Sequence, residues 1–178
     1  LPCAGSRRRA GFGPAGAPVL LTRVRDDTPT TAEALARFAS EARPPASTGI
    51  AGLVEVGRAA DGLWVVERAP HGPCLEAVVA RAAQRGRPLP GELCAWVALR
   101  VCEALAAAGP EPHGRLTPEN VIIPPGGEPL LVGWGWARLE APTARDAAFL
   151  PAEPSKRPGA RGDAYAAAQL ARFLATLA

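Results

Sequence analysis

The chain has 178 residues, 48% of them hydrophobic, and a formal net charge of +3. Such a chain can bury a core as one domain or two small lobes, and its charge is far below that of a nucleic-acid-binding stripe. No run of 18 or more apolar residues occurs, and LPCAGSRRR lacks the apolar centre of a signal peptide, so neither a membrane-spanning helix nor a secretory leader is expected.

The first residue is not Met, which implies a piece of a longer chain. Lys156 is the only Lys among 20 basic residues, and the heavy use of Ala, Arg, Pro and Gly reads as compositional bias. Cys3, Cys74, Cys94 and Cys102 show no CxxC spacing and only two His are present, so no zinc set is expected. Cys94 and Cys102 read as small apolar residues of a helix, and nothing implies an oxidising compartment.

In chain order, residues 1–17 are rich in Gly and Arg and read as a loop. PVLLTRV (18–24) reads as a buried strand. Thr30 and Glu33 form a possible capping box for a helix through Ala42, ended by RPPASTG. LVEVG and LWVVER flank an Asp61-Gly62 turn and predict a hairpin. CLEAVVARAAQ predicts a short helix. GELCAWVALRVCEALAAAG predicts a longer one whose core face carries Leu93, Trp96, Val97, Val101, Ala104 and Leu105. VII and LLVG around PPGGEP predict a second hairpin. Residues 134–160 form a 27-residue irregular stretch, and loops that long are usually functional or disordered. DAYAAAQLARFLATLA predicts a last helix with Ala166, Leu170, Phe173, Leu174 and Leu177 on one side. Strands with one helix, then mostly helices, describe an α+β plan.

Several stretches at consistent spacing resemble the eukaryotic-type Ser/Thr protein kinase family. HGRLTPENVII (113–123) is similar to that family's HRDLKPxN catalytic loop and following strand. LLVGWGWARL looks like the strand entering its DFG motif, with Gly133 thirteen residues after Asn120. FLPAE (149–153) resembles the end of the activation segment, and GDAYAAAQL the start of the central helix of the C-lobe. VLLTRV looks like the strand carrying the ATP-gripping lysine, RFASEA the helix carrying its glutamate partner, and WVVERAPHGPCL the hinge. The resemblance covers about residues 11–178. It implies a bilobal fold, with a loop at 1–17, an N-lobe at 18–69 built of a small sheet and one helix, and a mainly helical partial C-lobe at 70–178. That C-lobe would be truncated after its central helix, leaving the apolar underside of that helix exposed and Glu153 without the family's arginine partner.

The departures from the family's pattern set the expected function. The strand lysine falls at Thr22, the catalytic aspartate at Arg115, the loop lysine at Thr117 and the metal-binding aspartate at Gly133. A guanidinium accepts no proton at neutral pH, and glycine offers no metal ligand. Glu41 and Asn120 match the family, Asn120 as a weak metal candidate more readily explained as a loop hydrogen bond. Val66, Glu67 and Ala69 are hinge candidates for adenine. The resemblance implies that His113 packs under Trp134 and that Asp163 accepts backbone N–H groups from the loop. Arg115 is expected to pair with Glu119 in solvent or, on a sharper reading, to bind an anion in the cleft. The expectation is a pseudokinase acting as a binding or regulatory module. It would need no cofactor, bind ATP weakly at most, take a protein partner rather than nucleic acid or membrane, and work in the cytoplasm. A divergent Ser/Thr kinase with residual ATP binding is the alternative.

Overall fold

Four antiparallel strands make one sheet: β1 (Arg8–Phe12), β2 (Pro18–Arg23), β3 (Gly52–Ala59) and β4 (Gly62–Arg68), in the order β1-β2-β4-β3. The computed structural model of the chain describes residues 7–24, 33–38, 49–109, 111–151 and 159–176. Alternation along β2 and β4 turns Thr22, Val65 and Glu67 inward, because successive strand side chains face opposite sides. The register sets Arg8 opposite Thr22, Thr22 opposite Val65, and Leu20 opposite Glu67. The 18–23 strand thus pairs with 62–68, and the Asp61-Gly62 turn closes the expected hairpin.

The strand at Arg8–Phe12 corrects the loop expected over residues 1–17. RRAGF has no apolar alternation to announce it. It becomes a strand because β2 offers an edge and because Arg8 finds partners below the sheet while Arg9 lies over Trp64 on the other face.

Residues 33–38 form a helical segment, α1, whose Leu35 is fully buried with Val24, Leu63, Val65, Trp136 and Ala137. Thr30, the rest of the expected helix and Glu41 lie outside the described residues. Below the sheet come α2 (Leu75–Gln84), α3 (Gly91–Ala107), the two-residue strands β5 (Val121–Ile122) and β6 (Leu130–Leu131), and α4 (Ala160–Ala175). β5 and β6 pair antiparallel as the second hairpin, and the Ala51 amide donates to the Leu131 carbonyl at 2.8 Å, tying the approach to β3 to β6. The architecture is α+β.

The main core joins α3 and α4 through Val97, Val101, Ala104, Ala166, Leu170 and Leu174, with Leu116 and Trp134. The face of α3 is largely the expected one: Val97, Val101 and Ala104 are buried and Trp96 and Leu105 pack against the core, but at its first turn Cys94 is buried whereas Leu93 is 41% exposed. On α4, Ala166, Leu170 and Leu174 are buried as expected and Phe173 partly so, while Leu177 lies outside the described residues. Its solvent side carries Ala164, Tyr165, Ala168 and Ala171. Within 134–160, turns of 3-10 helix form at Ala137–Leu139 and Asp146–Phe149; residues 152–158, Glu153 included, lie outside the described residues. No described helix is long and apolar enough to cross a membrane. Cys74 is disulfide-bonded, which sequence spacing alone did not indicate; Cys94 and Cys102 are free.

Candidate functional site

The 113–120 loop is anchored from the helical side by one carboxylate. Asp163, in the first turn of α4, accepts the backbone N–H of His113 at 2.7 Å and of Gly114 at 2.9 Å. Burial raises the Asp163 pKa, and the two N–H donors only partly offset that. His113 is fully buried. Its Nε2 lies 3.0 Å from the Val132 carbonyl, and its Nδ1 accepts the Arg115 N–H at 3.2 Å. One neutral tautomer satisfies both contacts. Burial, reinforced by Arg8 and Arg115, pushes the His113 pKa down to about 4. The ring meets Trp134 edge-on, with centroids 5.2 Å apart. The roles expected of His113 and Asp163 are therefore present as contacts.

Arg115 corrects an expectation. Its residue is only 6% exposed and its guanidinium turns toward the 140–146 segment. It donates to the Glu140 carbonyl and, at 3.4 Å, to the Ala141 carbonyl, and lies 3.8 Å from Asp146. The solvent pair with Glu119 does not form. Glu119 instead lies 3.7 Å from Arg145, which also sits 3.6 Å from Glu76. Only tertiary packing decides this, because Glu140 and Asp146 are 25 and 31 positions away in sequence. Thr143 and Asp146 cap their turn reciprocally, the Thr143 N–H donating to the Asp146 carboxylate at 2.6 Å and the Asp146 N–H to Thr143 Oγ1 at 3.3 Å. Thr117 is buried beside a cavity of about 220 Å³ that Pro118, Ala148, Phe149 and Phe173 also line.

Asn120 fixes the loop from within. Its Nδ2 donates to the Arg115 carbonyl at 2.8 Å, and its backbone carbonyl accepts from Val132 N–H at 3.0 Å. The hydrogen-bonding reading of Asn120 is thus realised. Its Oδ1, the atom a metal would use, accepts from the Arg8 guanidinium. Gly133 adopts φ +86°, and a Cβ there would lie 3.1 Å from Ala137 Cβ and 3.5 Å from Asn120 Oδ1. A carboxylate side chain at 133 would therefore be strained in this backbone as well as crowded.

The sheet supplies the other wall. Thr22 is buried with no hydrogen-bond partner for Oγ1. Glu67, read from sequence as a hinge residue, instead sends its side chain inward, where it is 1% exposed and Oε1 accepts the Gly133 N–H at 2.8 Å. The alternation of β4 puts it there, two residues from Val65 on the same face. Desolvation raises the Glu67 pKa against the opposing pull of the Gly133 N–H, Arg8 and the Trp136 indole. Glu67 Oε2 and Trp136 Nε1 nevertheless fall short of hydrogen-bond geometry. Val66 lies on the opposite face. Ala69 is buried with Leu20, Ile122 and Val132, which pack on one another.

Sequence reasoning missed the residues of β1. Arg8 reaches across to the Glu119 carbonyl and Asn120 Oδ1, and desolvation lowers its pKa despite the nearby carboxylates. Arg7 pairs with both carboxylate oxygens of Glu140, and Phe12 and the Gly11 carbonyl both contact His71. The consecutive arginines were the one available signal. Among the described residues, no three His, Cys, Asp or Glu side chains converge as a metal site would require. No protein-family model matches the chain, and a search of curated proteins likewise finds no match.

Proposed function

We propose that the chain is a catalytically inactive, protein-kinase-like domain that works as a binding or regulatory module. On this reading the sheet with α1 is the small lobe, the helices form the large lobe, and the 113–137 segments line the cleft between them. The observation that carries the reading is the Arg8 guanidinium resting on Asn120 and Glu119, where a kinase would hold nucleotide phosphate and metal. Three further features support it. Thr22 contributes no cation to a phosphate, Gly133 contributes no carboxylate to a metal, and Leu20 packs with Ile122 and Val132 where adenine would slide.

Binding rather than chemistry is then the role, with a protein as partner and neither nucleic acid nor membrane. A cytoplasmic setting goes with a kinase-like module; the disulfide at Cys74 argues the other way. The test is thermal unfolding with and without Mg-ATP. Saturation at a hundred times Kd would add about 2.7 kcal/mol, an easily measured shift, and the expected result is none. A magnesium-dependent rise would overturn the proposal in favour of a divergent kinase that keeps nucleotide binding.

A further inference from the structure

The cleft under β1 presents acceptors where a nucleotide site presents donors. The Glu119 carbonyl and Asn120 Oδ1 both face the Arg8 guanidinium. Asn120 is held with its oxygen toward Arg8, because its Nδ2 is already bonded to the Arg115 carbonyl. Glu67 is buried and lies close enough for its charge to act on Arg8, with the Gly133 N–H on one oxygen and the Trp136 indole beside the carboxylate. Thr22, directly opposite Arg8 across β1 and β2, adds a buried hydroxyl that is without a partner. Of the nearby cations, Arg115 is turned toward Glu140, Ala141 and Asp146, and Arg7 is paired with the Glu140 carboxylate.

A planar fork of N–H donors suits such a wall of acceptors, and a phosphate does not. β1 is also an edge strand, pairing with β2 alone in its sheet, so Arg8 is carried by a strand that one neighbour holds. We propose that the cleft floor is a guanidinium-binding site, occupied in cis by Arg8, whose exchangeable ligand is an arginine side chain presented by a partner. This site stands on its own geometry and does not depend on the kinase-like reading.

Chemical rescue in the full chain tests it. Arg8→Ala empties the site. Arg9→Ala is the control, because Arg9 lies over Trp64 on the other face of the sheet, 4.8 Å from the ring centre. Thermal unfolding is followed with millimolar methylguanidinium and, as a charge control, methylammonium. The Arg8→Ala protein should unfold several degrees below wild type. Methylguanidinium should recover most of that loss, with no response to methylammonium and none in wild type or Arg9→Ala. Equal rises in all three proteins, or no rise in a folded Arg8→Ala protein, would overturn the site. Should Arg8→Ala fail to fold, a double-mutant cycle of Arg8→Lys with Asn120→Ala takes its place. The site requires the Arg8→Lys loss to shrink once Asn120 is gone, and strictly additive losses would refute it.

Discussion

The 113–120 loop is held from two sides that are built on different terms. On the helical side, the Asp163 carboxylate takes two backbone N–H groups, both His113 ring nitrogens are engaged, and Leu116 is fully buried in the α3–α4 core. On the sheet side, Thr22 Oγ1 is buried without a partner, the Glu67 carboxylate and the Trp136 indole lie together outside hydrogen-bond geometry, and a guanidinium from an edge strand fills the space. Buried polar atoms are normally satisfied. On the helical side Trp134 Nε1 is likewise buried without a partner, but the loop's own anchors are satisfied there, whereas the sheet side leaves polar atoms open directly against the loop. The helical side should govern stability, and the sheet side should govern binding.

Asp163→Ala should give the largest effect. It orphans two buried backbone donors at about 2 kcal/mol each, a loss of about 4 kcal/mol, read by urea unfolding with wild-type helix content retained. A loss below about 1 kcal/mol would erase the distinction between the two sides.

Acid should attack the same side next. His113 carries an ordinary value of 6.5 when unfolded and about 4 when folded, so the folded state binds fewer protons across that window. Its contribution is complete above pH 6.5 and is lost as pH falls toward 4, amounting to about 3 kcal/mol. The difference between wild type and His113→Gln, measured across this range, isolates the limb from the carboxylates. Parallel pH profiles would show that His113 is not buried neutral.

The smallest effect belongs to the sheet side and has the opposite sign. Burial raises the Glu67 pKa, so its charged form costs stability as pH rises above the ordinary carboxylate value. Glu67→Gln keeps an oxygen for the Gly133 N–H and removes the buried charge. It should stabilise the fold at pH 8 by on the order of 1 kcal/mol, and under the guanidinium-site proposal it should weaken methylguanidinium rescue of Arg8→Ala. A destabilisation of similar size would mean that Glu67 is structural after all.

Much of the architecture was legible from local pattern. The Asp61-Gly62 hairpin, the helices at 75–84, 91–107 and 160–175 and the hairpin around PPGGEP all appear where turn chemistry and period placed them. The errors share one physical origin. Cys94 rather than Leu93 is buried at the start of α3 because an end residue at the edge of the apolar stripe is placed by its neighbours, while the rest of that face is as expected. Arg115 left Glu119 for a segment 25 residues on because long side chains choose among acceptors that only packing assembles. Arg8–Phe12 became a strand because edge pairing depends on a neighbour rather than on its own pattern.

By itself the sequence determined the chemistry available at each position: a threonine at 22, a guanidinium at 115 and no side chain at 133. Those follow from residue identity and stay true in any fold. The roles of His113 and Asp163 come from the kinase resemblance, and the contacts it implies are present, one of them spanning 50 residues. Tertiary structure alone decided what the cleft holds. Glu67 faces inward through strand alternation, and Arg8 lies over Asn120 through a contact 112 residues apart in sequence. A strand fixes which way a side chain points only once its register is set, and register here depends on three other strands.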